Sequence, residues 1–260
     1  MTRLLIIVFF TLFIVSISLE AQGFNWELSP RLPENINYDF LGIALQHGFS
    51  KELGNFSFYE NDCNCGKFED GNGSSYVLGI NYEKWILDGN SSFSLGINYN
   101  YRKNEFSAKQ QLPIILPNGQ EDVITYENIF RNSFDNIAFN FEFKKRIENS
   151  FYYVSIGNVF HIILSNKQKH IEKILSPSYA NPFPTNPPSY SRVVSEGRIN
   201  KANTFNLAPF LNVGRDIDIG QKYYISPYIQ ISYLLLDQIR EEKWKSVQAI
   251  LGIRIMRWLK

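Results

Sequence analysis

The sequence predicts an all-β fold, an antiparallel up-and-down barrel of eight strands. The pentapeptide Leu-Gly-Ile-Asn-Tyr occurs at 78–82 and again at 95–99, on either side of Asp88-Gly89. A two-residue Asp-Gly turn between alternating stretches is the strongest short hairpin signal. The links between strand-like stretches also alternate between short and long along the chain. Such alternation is typical of a meander that closes on itself.

The first 21 residues are predicted to be a cleaved export signal. Arg3 supplies a positive charge, an apolar run from Leu4 to Ile17 follows, and Ala21 offers a small residue at the cleavage point. The alternative is a membrane anchor. We favour the signal because a spanning helix needs about 18 or more apolar residues, and this run is shorter.

The next residues, 22–38, contain Pro30 and Pro33 without a regular period and are predicted to be an irregular lead, while residues 39–260 form one barrel domain. In that domain apolar and polar residues alternate with the period of two expected of strands. Pro209 and Pro227 fall inside two strands, where each removes a ladder donor. The predicted strands are Asp39–Ser50, Ser75–Leu87, Ser91–Lys103, Ser133–Ile147, Phe151–Leu164, Asn203–Ile217, Lys222–Leu236 and Ser246–Trp258.

The links decide the predicted topology. Short links follow the second, fourth and sixth strands, and long links follow the first, third, fifth and seventh. All short turns and both termini therefore lie at one end of the barrel, and four long loops lie at the other. Within the third long link, 165–202, the segment Lys167–Leu175 has a helical period that is too brief to establish a helix.

The apolar face of the strands is predicted to point outward, into lipid. Period two alone fits both a barrel with an apolar interior and a membrane barrel with an apolar exterior. An eight-stranded lumen is only just filled by side chains, so about five large apolar residues per strand would not fit inside it. Aromatic residues near the strand ends fit an interfacial girdle, namely Tyr76, Trp85, Tyr101, Tyr152, Tyr223, Tyr233 and Trp258.

These features resemble the small outer-membrane β-barrels of the OmpA/OmpX type, and among them the PorT-like "outer membrane protein beta-barrel" family of Gram-negative bacteria. The resemblance covers nearly all of the mature chain and rests on the signal, the alternating strands and the loop lengths. It implies short periplasmic turns, long extracellular loops and a place in the outer membrane.

Charged residues on the polar face are the first candidate functional site. A narrow lumen requires them to pair, since an isolated buried ion costs several kcal/mol. One interpretation is a proton or ion path. The other, which we favour because eight strands leave little bore, is a network of salt bridges that fills the barrel. The residues are Glu83, Arg102, Glu142, Lys144, His161, Asp216 and Arg254.

Two cysteines, Cys63 and Cys65, lie in the first long loop, and the oxidising environment of an exported protein favours a disulfide. The alternative of zinc binding lacks further ligands at a recognisable spacing. We therefore predict no metal and no cofactor.

The third long loop is rich in proline, with Tyr179, Phe183 and Tyr190 interleaved. Proline reduces the entropy lost on binding, and exposed aromatic side chains make good anchors. The loop is therefore either a partner-binding surface or a disordered cover over the barrel mouth.

Catalysis is not expected. Ser165, His170 and Ser195 offer a nucleophile and a base at the loop end, where lipid-modifying barrel enzymes place them, but no catalytic or nucleotide-binding motif occurs. With 26 basic and 25 acidic residues, the net charge of +1 gives no field that would favour nucleic acid.

The function predicted from the sequence is therefore that of a monomeric outer-membrane barrel with a filled lumen. It would contact outer-membrane lipid and lipopolysaccharide, and act in structure and surface interaction through its loops. The alternatives are a narrow pore for ions or small solutes, and an accessory role in a secretion or outer-membrane assembly apparatus.

Overall fold

The computed structural model describes residues 38–57, 67–86, 90–115, 119–147, 150–176, 182–185, 187–199, 201–219, 222–240 and 242–259. Strands dominate this part of the chain. Their bounds are β1 Asp39–Ser57, β2 Lys67–Trp85, β3 Ser91–Ile115, β4 Glu121–Arg146, β5 Tyr152–Ser176, β6 Ser191–Gly197, β7 Phe205–Arg215, β8 Ile217–Ile219, β9 Tyr223–Tyr233 and β10 Lys243–Leu259. Among the described residues, no helix is long and apolar enough to cross a membrane.

Eight of the strands form a closed antiparallel ring in the order β1-β2-β3-β4-β5-β7-β9-β10. The ring closes where β1 pairs with β10, from Asp39 opposite Leu259 to Asn55 opposite Lys243. β6 pairs with the outer part of β5, and β8 pairs with the start of β9. The predicted fold class, an eight-stranded up-and-down barrel with short turns at one end, is confirmed.

The repeated pentapeptides do pair across a hairpin. Leu78 lies opposite Tyr99, and Ile80 lies opposite Ile97. Leu78, Ile80 and Ile97 are more than half exposed on the outer face, whereas the residues between them are buried. The apolar rows therefore face outward, as the volume of the lumen requires.

Several strands are longer than predicted, because alternation continues beyond the apolar rows. β3, β4 and β5 have 25, 26 and 25 residues. In the added parts many of the outward residues are charged, among them Glu105, Lys109 and Arg131, while Phe106 and Phe130 face inward and are fully buried. Apolar alternation in the sequence ends where the outer face becomes polar, so strand ends predicted from it fall short of the observed strand ends.

The brief helical period at Lys167–Leu175 does not correspond to a helix, because this segment is the outer part of β5 and pairs with β4 and β6. Two predicted girdle residues also point elsewhere: Trp85 is buried and belongs to an inward cluster, against which Trp258 packs. Trp85 shares its parity with the inward Glu83 on β2, and Trp258 shares its parity with the inward Arg254 on β10, so parity outweighs their place at the strand ends.

Both prolines lie inside strands of the ring. Pro209 pairs with Asn158 and Pro227 pairs with Ile253. The ladder between β7 and β9 begins at the residue after each proline and spans five residue pairs, from Phe210 opposite Ser232 to Gly214 opposite Tyr228. The backbone donors that the two prolines lack thus coincide with the shortest strand pairing in the ring, the seam between β7 and β9.

Candidate functional site

The inward face of the barrel is the candidate site, and it carries all seven charged residues identified from the sequence. None of the seven is more than 8% exposed. They divide into groups at the turn end, in the middle and toward the loop end of the lumen. Each group combines side chains from strands that are not neighbours in the ring.

At the turn end, Lys144 binds two carboxylates. Its Nζ lies 3.1 Å from Glu83 Oε1 and 2.9 Å from the Asp216 carboxylate. Arg146 donates to the same Asp216, with Nη2 at 2.7 Å. Glu83 also accepts from Ser92 and Tyr224. Two cations therefore face two anions, and the buried charges balance.

Aromatic rings surround this turn-end group. Lys144 Nζ lies 4.3 Å from the ring centre of Tyr153, and the Arg146 guanidinium lies 3.9 Å from that of Trp85. These distances are within the range of cation–π attraction. The sequence analysis missed Arg146, although it has the same parity on β4 as Glu142 and Lys144.

In the middle of the lumen, Arg254 on β10 meets Glu142 on β4, with Nη2 2.5 Å from Oε2. The second carboxylate oxygen accepts from Ser155 at 2.6 Å and from Asn212 at 3.2 Å. The Arg254 guanidinium lies 4.5 Å from the ring centre of Tyr228. The carboxylate is thus satisfied by hydrogen bonds as well as by the opposite charge.

A small polar cavity of about 30 Å³ lies next to this pair. Polar atoms of its lining residues that have no hydrogen-bond partner within the described ranges include His161 Nδ1, Asn100 Oδ1, Gln248 Nε2 and Arg254 Nη1. A space of this size accommodates a water molecule or two. The cavity does not form a continuous channel through the barrel.

Toward the loops, Glu52 is a hub that the sequence analysis missed. Its carboxylate accepts from Ser50 at 2.6 Å, Trp244 Nε1 at 2.8 Å, Gln238 at 2.9 Å and Ser246 at 2.9 Å. Gln238 belongs to the link between β9 and β10, so this link is held inside the barrel mouth. Glu52 lay in a predicted loop, but its parity continues that of Ala44 and Ser50.

Arg102, the remaining predicted cation, is joined to this hub through Gln238. Its Nη2 donates to Gln238 Oε1, and its guanidinium lies 5.2 Å from the ring centre of Phe134. An inward aromatic cluster lies around Trp244 at the same end, formed by Phe56, Phe68, Phe106, Phe130, Phe134 and Trp244. The mouth of the barrel is therefore packed like a protein core.

The other predicted sites are placed as follows. Cys63, Cys65, Tyr179 and the predicted signal peptide lie outside the described residues. Phe183 is not an exposed anchor: it is buried against Ile124 and Ile174. Tyr190 is about half exposed.

The structure does not assemble a site from the candidate nucleophiles and base. Ser165 lies opposite Asp135 on the outer face, whereas His170 is buried inside and its Nε2 lies 3.1 Å from Asn128 Oδ1. Ser195 lies opposite His170 on β6, but its Oγ has no hydrogen-bond partner among the residues that the structure describes. Within the described ranges no group of three metal-ligating side chains occurs.

An apolar outer face, a closed ring of backbone hydrogen bonds and a charged, packed interior define the class of transmembrane β-barrels. The chain matches no family model and no curated protein. The PorT-like resemblance therefore stays a prediction.

Several solved structures are similar to the chain at low identity. Neisserial surface protein A is 9% identical with a TM-score of 0.38, covering 83% of this chain and 96% of that one. Ail of Yersinia pestis is 11% identical with a TM-score of 0.30, covering 84% and 98%. The outer membrane protease OmpT of Escherichia coli is 10% identical with a TM-score of 0.33, covering 85% and 97%. At these values no activity is transferred to the chain.

Proposed function

We propose that the protein is a monomeric barrel of the outer membrane of a Gram-negative bacterium, exported by its N-terminal signal. Its filled lumen makes it a structural and surface-interaction protein rather than a pore or an enzyme. The observation that carries this proposal is the outer sheet, formed by the loop-end parts of β3, β4 and β5 together with β6, which extends beyond the closed barrel. In the proposed orientation the short turns face the periplasm, and the loops face outward.

The length of three strands supports a projecting sheet. A tilted crossing of the membrane takes about 9–11 residues, and β7 and β9 have 11 residues each. β3, β4 and β5 are more than twice that length, and β6 adds a fourth strand to the outer part. The residues of these strands beyond the membrane crossing are not needed to span the hydrocarbon. We therefore assign them to contacts outside the membrane.

The edge of this sheet is suited to a protein partner. β6 pairs with β5, and its other edge has no partner strand among the described residues. Val193 on β6 and Tyr190 just before it are about half exposed. An open strand edge beside apolar side chains is a common way of binding an extended segment of another protein.

The interior argues against transport. Charged pairs cross the lumen at two levels, and the mouth is closed by aromatic packing. A conducting pore needs a continuous path of water, which a 30 Å³ cavity does not provide. We therefore expect no discrete conductance steps from the refolded protein in planar bilayers.

Crosslinking in intact cells tests the surface role. In a Cys63→Ser/Cys65→Ser background, a photo-crosslinker is attached to Val193→Cys on the sheet edge. We expect a recurrent protein adduct of defined mass. The matched control is Ile97→Cys, which lies on the lipid-facing row and is expected to give no such adduct.

Three outcomes would contradict the proposal. Equal adducts from both positions would remove the sheet edge as a specific surface. Conductance steps would favour the narrow pore. An adduct only with periplasmic assembly factors would favour the accessory role in secretion.

A further inference from the structure

A basic depression on the outer wall of the barrel is a second candidate site. It has a volume of about 580 Å³ and lies across β2 to β6. Its basic lining residues are Lys103, Arg131, Lys167 and Lys169, and its acidic ones are Glu105 and Glu196. The lumen network uses none of these side chains.

Two of the four cations are already neutralised. Arg131 Nε lies 2.5 Å from Glu105, and Lys169 Nζ lies 2.8 Å from Glu196. Lys103 and Lys167 form no ion pair with the described residues, and both are exposed. The uncompensated charge of the depression therefore resides on these two lysines.

The register brings the two lysines together. Lys103 lies opposite Ser133, and Ser133 lies opposite Lys167, so the three side chains form one row on the outer face. Neighbouring strands are about 4.8 Å apart. Two ammonium groups and a hydroxyl can therefore converge on one tetrahedral anion between them.

The height of this row above the membrane is set by its neighbours. Two residues closer to the turn end, β2, β3 and β4 carry Tyr76, Tyr101 and Asp135, and two residues beyond these they carry Leu78, Tyr99 and Ile137. Tyrosines of this kind mark the boundary of the hydrocarbon. One Asp135 oxygen accepts from Tyr99 Oη at 2.5 Å, on the membrane side of the lysines. The row thus lies at the level of the lipid headgroups.

We propose that Lys103, Ser133 and Lys167 bind the phosphate of a phosphomonoester lipid headgroup in the outer leaflet. Lysine is a good point-charge partner for phosphate, and a basic residue close to an anionic membrane surface contributes about 1 kcal/mol. The inference rests on the proposed orientation, with the loop end in the outer leaflet. It adds a lipid ligand to a protein whose proposed partner surface lies further out.

The test uses the full mature chain inserted into vesicles of phosphatidylcholine with a minor fraction of phosphatidic acid, which carries a phosphomonoester. Retained lipid is counted by native mass spectrometry after gentle extraction. We expect enrichment of phosphatidic acid over phosphatidylcholine. In the Lys103→Gln/Lys167→Gln variant the enrichment should fall about fivefold for each lysine removed.

The matched control is Lys109→Gln/Lys173→Gln. It removes the same charge from the same outer face, from a row further from the membrane and outside the depression. Enrichment should be unchanged in this variant. An equal loss in both variants, or no enrichment in the parent, overturns the proposed site.

Two further arms separate the remaining outcomes. Inorganic phosphate at millimolar concentration should not displace the lipid, and displacement would overturn the assignment to a headgroup. Protease protection of the inserted chain is measured first. Failure to insert overturns the membrane orientation and with it this site, whereas insertion without enrichment overturns the site alone.

Discussion

Arg254 on β10 and Glu142 on β4 form an ion pair between opposite walls of the barrel, with Nη2 2.5 Å from Oε2. In the ring of eight strands, β4 and β10 are separated by three strands on either side. The pair therefore ties the barrel across its full width. Both side chains are at least 96% buried, so neither can exchange its partner for bulk water.

Breaking this pair should destabilise the barrel strongly. Glu142→Gln leaves Arg254 buried without a counter-charge, which costs about 3–5 kcal/mol. Arg254→Met leaves the carboxylate in the same state. We expect the double variant Glu142→Leu/Arg254→Met to recover part of the loss, because no uncompensated charge remains. The measurement is the urea midpoint of folding in detergent, followed by gel mobility of unheated samples.

The control for the ion pair is Glu105→Gln, which breaks the half-exposed pair with Arg131. Exposed pairs contribute about 0–1 kcal/mol, so its midpoint should shift little. If Glu142→Gln unfolded at the same urea concentration as the parent, the ion pair across the lumen would make no contribution to the stability of the barrel.

Gly252 makes room for the ring of Tyr228. A Cβ added at 252 would meet the Tyr228 ring and hydroxyl at less than van der Waals distance, and the ring itself is fully buried. Gly252→Val should therefore cost about 1–3 kcal/mol by overpacking. Adding Tyr228→Leu should restore part of the stability, because a smaller side chain vacates the space.

Gly197→Ala provides the comparison, because in the described part of the chain, apart from the two neighbouring residues, no atom lies within 4 Å of a Cβ added at that position. It should leave the unfolding midpoint almost unchanged. Equal losses at 197 and 252 would mean that backbone freedom, and not the Tyr228 ring, explains the effect.

Glu52 should hold the β9–β10 link in the barrel mouth. In Glu52→Gln, the new amide places a donor where Ser50, Gln238, Trp244 and Ser246 already donate. Hydrogen bonds to a charged acceptor are each worth about 1.5–3 kcal/mol, so losing one should raise the open fraction of the link about tenfold or more. The measurement is the initial rate of tryptic cleavage after Arg240, with the emission maximum of Trp244 as a second signal.

Glu69→Gln is the matched control for Glu52, because its carboxylate is largely exposed and 4.0 Å from Lys67. Cleavage after Arg240 should proceed at the parental rate in this variant. A parental rate in Glu52→Gln as well would show that the aromatic packing around Trp244 holds the link alone.

The seam between β7 and β9 should be the first part of the ring to open. It has five residue pairs, against 25 between β3 and β4. Local opening is easiest where few ladder bonds must break. Amide hydrogen exchange in lipid nanodiscs should therefore be faster for residues 210–214 than for residues 95–99. Equal protection would contradict a weak seam.

The sequence predicted which residues face the lumen much better than how far the strands extend. Inward parity was correct for Glu83, Lys144 and Arg254 because side-chain direction along a strand depends only on local geometry. Glu52 and Arg146 had the same parity signal and were overlooked, since the apolar rows beside them had ended or had turned polar. Phe183 could not be placed from sequence, because its burial depends on a loop folding back onto β4 and β5.

The sequence by itself determined the number of ring strands, their antiparallel order and the choice of an apolar exterior, because alternation, link length and lumen volume are all readable along the chain. Only the tertiary structure decided which charges meet. Glu142 and Arg254 are 112 positions apart, and their contact depends on the closure of the ring and on the stagger of every intervening ladder. The alternation of residues within a single strand specifies neither the ring closure nor the stagger.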